Sequence, residues 1–222
     1  AQAREMLDMT AEQGISAMVA TPHFYAEREQ PKDFLLRRNC AIERFMTVYD
    51  FKSDPAVYLG AEVAFFGGSG HCLALRDLTI VGTNYVLIEM PFCRWHESVY
   101  SDLYNVQDRL GCIPVIAHIE RYIFLQPRKT LEKLLDHGCL IQSNGDFFTK
   151  GWKKRKAMHM LASGKIHLLG SDCHNTTDRR QNLGEASALI MKMVGSEPLD
   201  RVDSVSQTLL SEAVTIDRIL AV

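Results

Sequence analysis

Five apolar segments of this chain each end on a side chain that can bind a metal ion. Hydrolytic metal sites use imidazole and carboxylate ligands and keep one coordination position open for water or substrate. Buried parallel strands are continuous runs of Val, Ile and Leu, and in a barrel of such strands the functional residues lie at the carboxyl ends. We therefore predict a polynuclear metal site at one mouth of a barrel. The residues at the five segment ends are His23, Glu62, Glu89, His118 and the pair Asp172 and His174.

Local sequence strengthens two of these assignments. Glu89 ends the run Val86-Leu87-Ile88, where a carboxylate is costly to bury unless it is paired or bound to a metal. Asp172 and His174 are two residues apart, so in extended chain their side chains face the same way and converge, while Cys173 points away. The same alternation predicts that His118 and Glu120 share one direction.

Two arginines follow the candidate ligands closely. Arg121 lies three residues beyond His118, and Arg179 lies five residues beyond His174, so we expect both at the same mouth of the barrel. The planar guanidinium group suits phosphate oxygens because it donates two parallel hydrogen bonds. A polar metal cluster with arginines at its rim is typical of a phosphoester hydrolase.

A rival interpretation comes from Cys173 and Arg179, which have the C-x5-R spacing of cysteine-dependent tyrosine phosphatases. That mechanism needs a thiolate of lowered pKa in a loop whose backbone N–H groups surround the phosphate. The five residues between them include no glycine, and Asp178 adds a negative charge next to the expected phosphate position. The sequence therefore favours the metal-dependent route.

Composition narrows the class of protein. A chain of 222 residues with 46% hydrophobic content can form one core, and no linker or repeat divides it, so we expect one domain over residues 1–222. The net charge of −2 argues against a nucleic-acid partner. No apolar run is long enough to insert into a membrane, and no signal peptide is recognisable. Six scattered cysteines are typical of reduced thiols, so we predict a cytoplasmic protein.

Apolar strands alternate with longer amphipathic segments, and this order predicts an α/β fold with a parallel sheet. The predicted strands are 16–22, 56–65, 85–91, 113–119, 140–144 and 166–171. The predicted helices are 2–13, 31–49, 97–110, 128–137, 151–162, 180–194 and 205–220.

Two motifs and the order of the ligand segments resemble a known family. Ile116-Ala117-His118-Ile119-Glu120-Arg121-Tyr122 and Ser171-Asp172-Cys173-His174-Asn175 are similar to motifs of the PHP-domain tyrosine phosphatases found in bacterial capsule and exopolysaccharide clusters. The resemblance implies a distorted (β/α)7 TIM-like barrel that holds up to three divalent ions. The ions are most commonly manganese, with iron, zinc or magnesium as alternatives. It also implies hydrolysis of protein phosphotyrosine, with a cognate bacterial tyrosine kinase of polysaccharide export as the partner.

Residue by residue, the resemblance implies metal-ligand roles for the six candidates above and phosphate-binding roles for Arg121 and Arg179. That family also has a first strand with a His-x-His motif, followed by an acidic loop, and nothing in this sequence matches either. We therefore expect the first strand to be absent from this sequence and one or two ions to be bound. If that strand is missing from the molecule itself, we expect weak metal binding and little phosphatase activity. The alternatives are a histidinol-phosphate-type phosphatase and a barrel that binds its kinase without turnover.

Overall fold

The computed structural model describes residues 2–219, in which short parallel strands alternate with helices. The strands are β1 Ala17–Ala20, β2 His23–Phe24, β3 Ala56–Leu59, β4 Glu62–Ala64, β5 Tyr85–Glu89, β6 Ile113–Ile116, β7 Leu140–Asn144 and β8 Leu168–Gly170. The α-helices are α1 Gln2–Glu12, α2 Pro31–Phe45, α3 Glu97–Asp108, α4 Thr130–Asp136, α5 Asp146–Thr149, α6 Lys154–Ala162, α7 Leu183–Val194, α8 Glu197–Leu210 and α9 Ile216–Ile219. Three 3₁₀ segments lie at Ser69–His71, Leu73–Leu78 and Ile119–Arg121.

Every pairing between these strands is parallel, and from β4 onward the strands pair in the order in which they occur along the chain. β1 pairs with β3 and β2 pairs with β4, after which β4, β5, β6, β7 and β8 follow side by side. Two hydrogen bonds connect the β1–β3 pairing to the β2–β4 pairing. The Gly60 amide donates to the Ala20 carbonyl at 2.9 Å, and the Glu62 amide donates to the Pro22 carbonyl at 3.0 Å. The sheet therefore has six strand positions, which confirms the six predicted strands.

The sheet curls into a half-barrel, so that its two ends approach each other at the mouth. His174, just beyond β8, places its Nε2 atom 3.4 Å from Nε2 of His23 on β2. Gln13 ties the segment after α1 to the start of α7, because its amide group donates to the Gln181 carbonyl and accepts from the Gly184 amide, both at 2.8 Å. The predicted α/β fold with a parallel sheet is confirmed at this level.

The main apolar core is centred on one face of the sheet, and that face is fully buried. In β5, Val86 and Ile88 are 0% and 2% exposed, whereas Tyr85, Leu87 and Glu89 between them are only half-buried. Continuous burial of this strand was therefore a wrong expectation, because one face of the curled sheet is partly open. That face carries Glu89. Among the residues that the structure describes, no helix is both long enough and apolar enough to cross a membrane.

The last predicted helix, 205–220, is wrong in its boundaries. α8 begins eight residues earlier, with Pro198 in its first turn, and ends at Leu210. Proline fits this position because the first helical amides have no partner within the helix. The chain then turns at Ser211, and the Val214 amide donates to the Val81 carbonyl at 2.9 Å before the short α9 begins. The predicted end at residue 220 lies outside the described residues.

Candidate metal centre

Strand register brings three of the predicted ligands together. His23 of β2 pairs with Glu62 of β4, and Glu89 of β5 pairs with Ala64, two residues beyond Glu62. Side chains at registered positions and two residues apart lie on the same face of a sheet, so the three groups point the same way. One potential ligand atom from each of His23, Glu62 and Glu89 lies within 4.8 Å of the other two.

His118 joins this group from the end of β6. Its Nε2 atom lies 3.1 Å from Oε1 of Glu62 and 3.5 Å from Oε1 of Glu89, and the residue is 2% exposed. The backbone at His118 has a φ of 34°, in the left-handed region that a residue with a Cβ rarely adopts. This turn ends the strand at Ile116 and directs the imidazole ring into the cluster.

The predicted shared direction of His118 and Glu120 is wrong, because the chain after His118 forms a 3₁₀ turn instead of continuing as a strand. The carboxylate of Glu120 instead accepts hydrogen bonds from the Ser143 hydroxyl at 3.0 Å and the Asn144 amide at 3.2 Å. Burial of this carboxyl group raises the pKa of Glu120. Glu120 therefore fastens the loop after β6 to the end of β7.

Asp172 and His174 converge as predicted, but not for the predicted reason. Asp172 has a φ of 53°, so the chain is not extended there. Nδ1 of His174 lies 3.5 Å from Oδ1 of Asp172 and 2.9 Å from its carbonyl oxygen. Among the described residues, Asp172 and His118 are the two non-glycine residues with positive φ. Strained backbone of this kind concentrates at functional sites, where the surrounding structure holds it in place.

Both predicted arginines reach the cluster. Arg121 donates from Nη1 to Oε1 of Glu89 at 2.9 Å and from Nη2 to Oδ2 of Asp172 at 2.8 Å. Nη2 of Arg179 lies 2.5 Å from the same Asp172 oxygen. The Asn175 side chain braces the loop that carries Arg179, because its Oδ1 accepts from the Arg179 amide at 3.0 Å. The two guanidinium groups thus lie at the rim of the carboxylate cluster, and both are partly exposed.

The side chains of Tyr122 and Gln142 form a supporting layer that holds His118 in place, and neither contact was predicted from the sequence. The Tyr122 hydroxyl lies 3.0 Å from Nδ1 of His118, and burial together with the charge of Glu89 raises the pKa of Tyr122, so the phenol stays neutral. On the other side, Oε1 of Gln142 accepts from the His118 amide at 2.6 Å. A Cβ atom at Gly170 would collide with Nε2 of Gln142, so a side chain there would displace the Gln142 amide group. The polar residues at the end of β7, Gln142-Ser143-Asn144, are the feature of the sequence that could have indicated these contacts.

The donor set fits divalent cations. Three carboxylates and three imidazoles converge on one region, and these are the hard and borderline ligands that such ions prefer. Nδ1 of His23 is buried and has no hydrogen-bond partner among the described residues, although Oε1 of Glu62 is 3.5 Å away. A buried polar atom without a partner is costly, and coordination to a cation would satisfy it.

The alternative site built on Cys173 has the wrong electrostatics for a nucleophile. Burial raises the pKa of the Cys173 thiol, whereas a reactive cysteine needs a lowered one. The thiol lies 3.5 Å from the Asn175 carbonyl oxygen, and the Arg179 guanidinium pairs with Asp172. These contacts disfavour the cysteine-dependent mechanism.

Residues 1–208 match the family model described as capsular polysaccharide synthesis, CpsB/CapC. The chain belongs to the CpsB/CapC family. It is 28% identical over 212 residues to the tyrosine-protein phosphatase CpsB of Streptococcus pneumoniae, covering 88% of this chain and 84% of that relative. It is 30% identical over 205 residues to the tyrosine-protein phosphatase YwqE of Bacillus subtilis (strain 168), covering 87% of this chain and 77% of that relative.

The fold of this CpsB/CapC member is also similar to a solved structure. The matching chain comes from crystal structures of YwqE from Bacillus subtilis and CpsB from Streptococcus pneumoniae, described as unique metal-dependent tyrosine phosphatases. The TM-score is 0.76 with 26% sequence identity, and the match covers 95% of this chain and 87% of that one. The resemblance inferred from the sequence motifs is therefore confirmed at the level of the family.

Proposed function

We propose that this chain is a metal-dependent protein-tyrosine phosphatase. The observation that carries the proposal is the convergence of His23, Glu62 and Glu89, with two arginines beside them, in a member of the CpsB/CapC family. The named relatives are tyrosine-protein phosphatases, and the similar solved structures are described as metal-dependent ones.

Six residues would hold the divalent ions: His23, Glu62, Glu89, His118, Asp172 and His174. The distances of 3.1 to 3.5 Å between imidazole nitrogens and carboxylate oxygens support this assignment, since one cation can lie between such atoms. Manganese is the ion we expect first, with iron, zinc and magnesium as alternatives. When bound, such ions supply Lewis-acid stabilisation of a phosphoryl group and make water more acidic.

The chain's own residues would orient the phosphate. Arg121 and Arg179 place positively charged guanidinium groups at the edge of the metal centre. These planar groups can donate two parallel hydrogen bonds to phosphoryl oxygens as well as to carboxylates. Each would neutralise charge that builds up on the non-bridging oxygens during transfer to water. Tyr122 would act as a positioning residue, because its hydroxyl fixes the ring of His118 with Nε2 toward Glu62.

The physiological substrate we propose is phosphotyrosine on a protein, with a bacterial tyrosine kinase of polysaccharide export as the partner. The family's link to capsular polysaccharide synthesis supports this choice. We further propose that the half-barrel is of the PHP type, that the chain forms one domain, and that it works in the cytoplasm.

The test compares two substrates on one preparation of the protein with manganese. Phosphate release from a phosphotyrosyl peptide should exceed release from histidinol phosphate by at least about tenfold in kcat/KM, the scale of discrimination that a few substrate contacts provide. A preference for histidinol phosphate would overturn the substrate assignment and leave the metal-dependent chemistry in place.

A further inference from the structure

A cluster of lysines and exposed aromatic rings lies on the segments that follow β6 and β7, at the end of the sheet that carries the metal centre, and we call it the basic–aromatic rim. It consists of Phe124, Trp152, Lys153 and Lys156. Trp152 is 79% exposed and Phe124 is 37% exposed, and their ring centroids are 5.7 Å apart. The ammonium groups of Lys153 and Lys156 lie 4.3 and 4.4 Å from the centroid of the Phe124 ring.

The rim is continuous with the loops that form the metal centre. Phe124 lies three residues beyond Arg121 in the loop after β6. Trp152 follows α5, the helix that begins just after β7 ends. The buried Phe147 of α5 packs against Phe124 with a centroid separation of 6.4 Å, which anchors the exposed ring to the fold. A polypeptide with its phosphotyrosine at the metal centre would therefore have this rim at the same end of the sheet.

The positive charge of the rim is not neutralised. Among residues 2–219, no carboxylate forms an ion pair with Lys153 or Lys156, whereas nearby Lys150 pairs with Asp146 at 2.7 Å. Burial, followed by the charges of Arg128 and Lys153, lowers the pKa of Lys156. An anionic ligand would relieve this repulsion between like charges.

We propose that the basic–aromatic rim binds an acidic segment next to the phosphotyrosine of the protein substrate, and this inference rests on the proposed function. Exposed Trp is typical of binding hot spots, and the positive charge of the two lysines is complementary to acidic residues. A membrane surface fits less well. The apolar residues of α6, including Met158 and Leu161, are buried in the core and leave no free apolar helix face to insert.

The activity test uses two phosphotyrosyl peptides of equal length, one with glutamates and one with serines around the phosphotyrosine. In the unmodified protein, kcat/KM should favour the acidic peptide. In Lys153→Glu/Lys156→Glu this preference should fall about five- to tenfold, since two exposed attractions become repulsions. The matched control is Lys52→Glu/Lys192→Glu. Both control lysines are exposed, and Lys52 also lies near an exposed ring, 5.8 Å from the centroid of Phe51, at the opposite end of the sheet.

A binding test without turnover separates failure of this inference from failure of the proposed function. Tryptophan emission is followed while the acidic peptide is added in EDTA, because Trp152 is exposed and the second tryptophan, Trp95, is 4% exposed. We expect a blue shift that disappears in Trp152→Phe and in Lys153→Glu/Lys156→Glu. If neither peptide is hydrolysed by the unmodified protein, the proposed function fails and this titration still decides the role of the rim.

Two results would overturn the inference. One is an unchanged preference for the acidic peptide, or an equal loss in the control, after Lys153 and Lys156 are reversed in charge. The other is an emission shift with phosphatidylserine vesicles but none with the peptide, which would make the rim a membrane-binding surface.

Discussion

Replacing Tyr122 by phenylalanine tests whether the supporting layer controls metal binding. The change removes one hydroxyl and keeps the ring that packs beside Trp95 with a centroid separation of 5.6 Å. The lost contact is the 3.0 Å hydrogen bond to Nδ1 of His118, an atom in a residue that is 2% exposed. We expect manganese affinity to fall by roughly 10- to 100-fold, the usual effect of removing a group that orients a metal-binding histidine.

The same substitution should have a modest effect on folding. Loss of one neutral hydrogen bond costs about 1 kcal/mol, which corresponds to a fall of about 2–4 °C in the melting temperature of a chain of this size. Metal affinity is measured by calorimetry on EDTA-stripped protein, and melting is followed in EDTA. Tyr104→Phe is the control, because its hydroxyl has one hydrogen-bond partner within residues 2–219, the Lys133 carbonyl at 3.3 Å. Unchanged manganese affinity in Tyr122→Phe would refute the assigned orientation of His118.

His118→Ala should abolish manganese-dependent hydrolysis of p-nitrophenyl phosphate while Cys173→Ser retains most of it, and the reverse pattern would favour a thiol nucleophile. Arg179→Ala should raise KM for that substrate about tenfold, since hydrogen bonds to charged groups contribute about 1.5–3 kcal/mol; calorimetry should show unchanged metal affinity, and a parallel loss would contradict a phosphate-binding role. Asp54→Asn should lower the melting temperature at pH 7 by about 2–4 °C. Arg4 lowers the pKa of Asp54, so this contribution disappears as the pH falls through that pKa, and a deficit that persists in strong acid would count against the pair.

Much of the fold could be predicted because most of the strands lie in compact apolar runs that end abruptly. Val86-Leu87-Ile88 before Glu89 is such a run, and it predicts the position of β5. The strands on either side of β5, β4 and β6, are also its neighbours along the chain. The end of the chain was harder to predict. The start of α8 depends on a proline in its first turn, and the segment after it depends on the contact between Val214 and Val81, which local sequence does not encode.

The candidate ligands could be predicted because they lie at strand ends, where parallel pairing brings their side chains together. The supporting contacts could not, because they depend on exact backbone angles. His118 turns into the left-handed region, which sends Glu120 to the end of β7 and lets Tyr122 reach back to the imidazole ring. No alternation rule applies across such a turn.

The most direct test of the metal centre is phosphate release from a phosphotyrosyl peptide by EDTA-stripped protein as manganese is added back. Glu62 is the decisive position, because its Oε1 atom lies 3.1 Å from Nε2 of His118 and 3.5 Å from Nδ1 of His23. We expect no release without manganese, a saturable rise as it is added, and almost none at any concentration in Glu62→Gln. Equal release in EDTA, or an unchanged rise in Glu62→Gln, would contradict a metal-dependent phosphatase built on these residues.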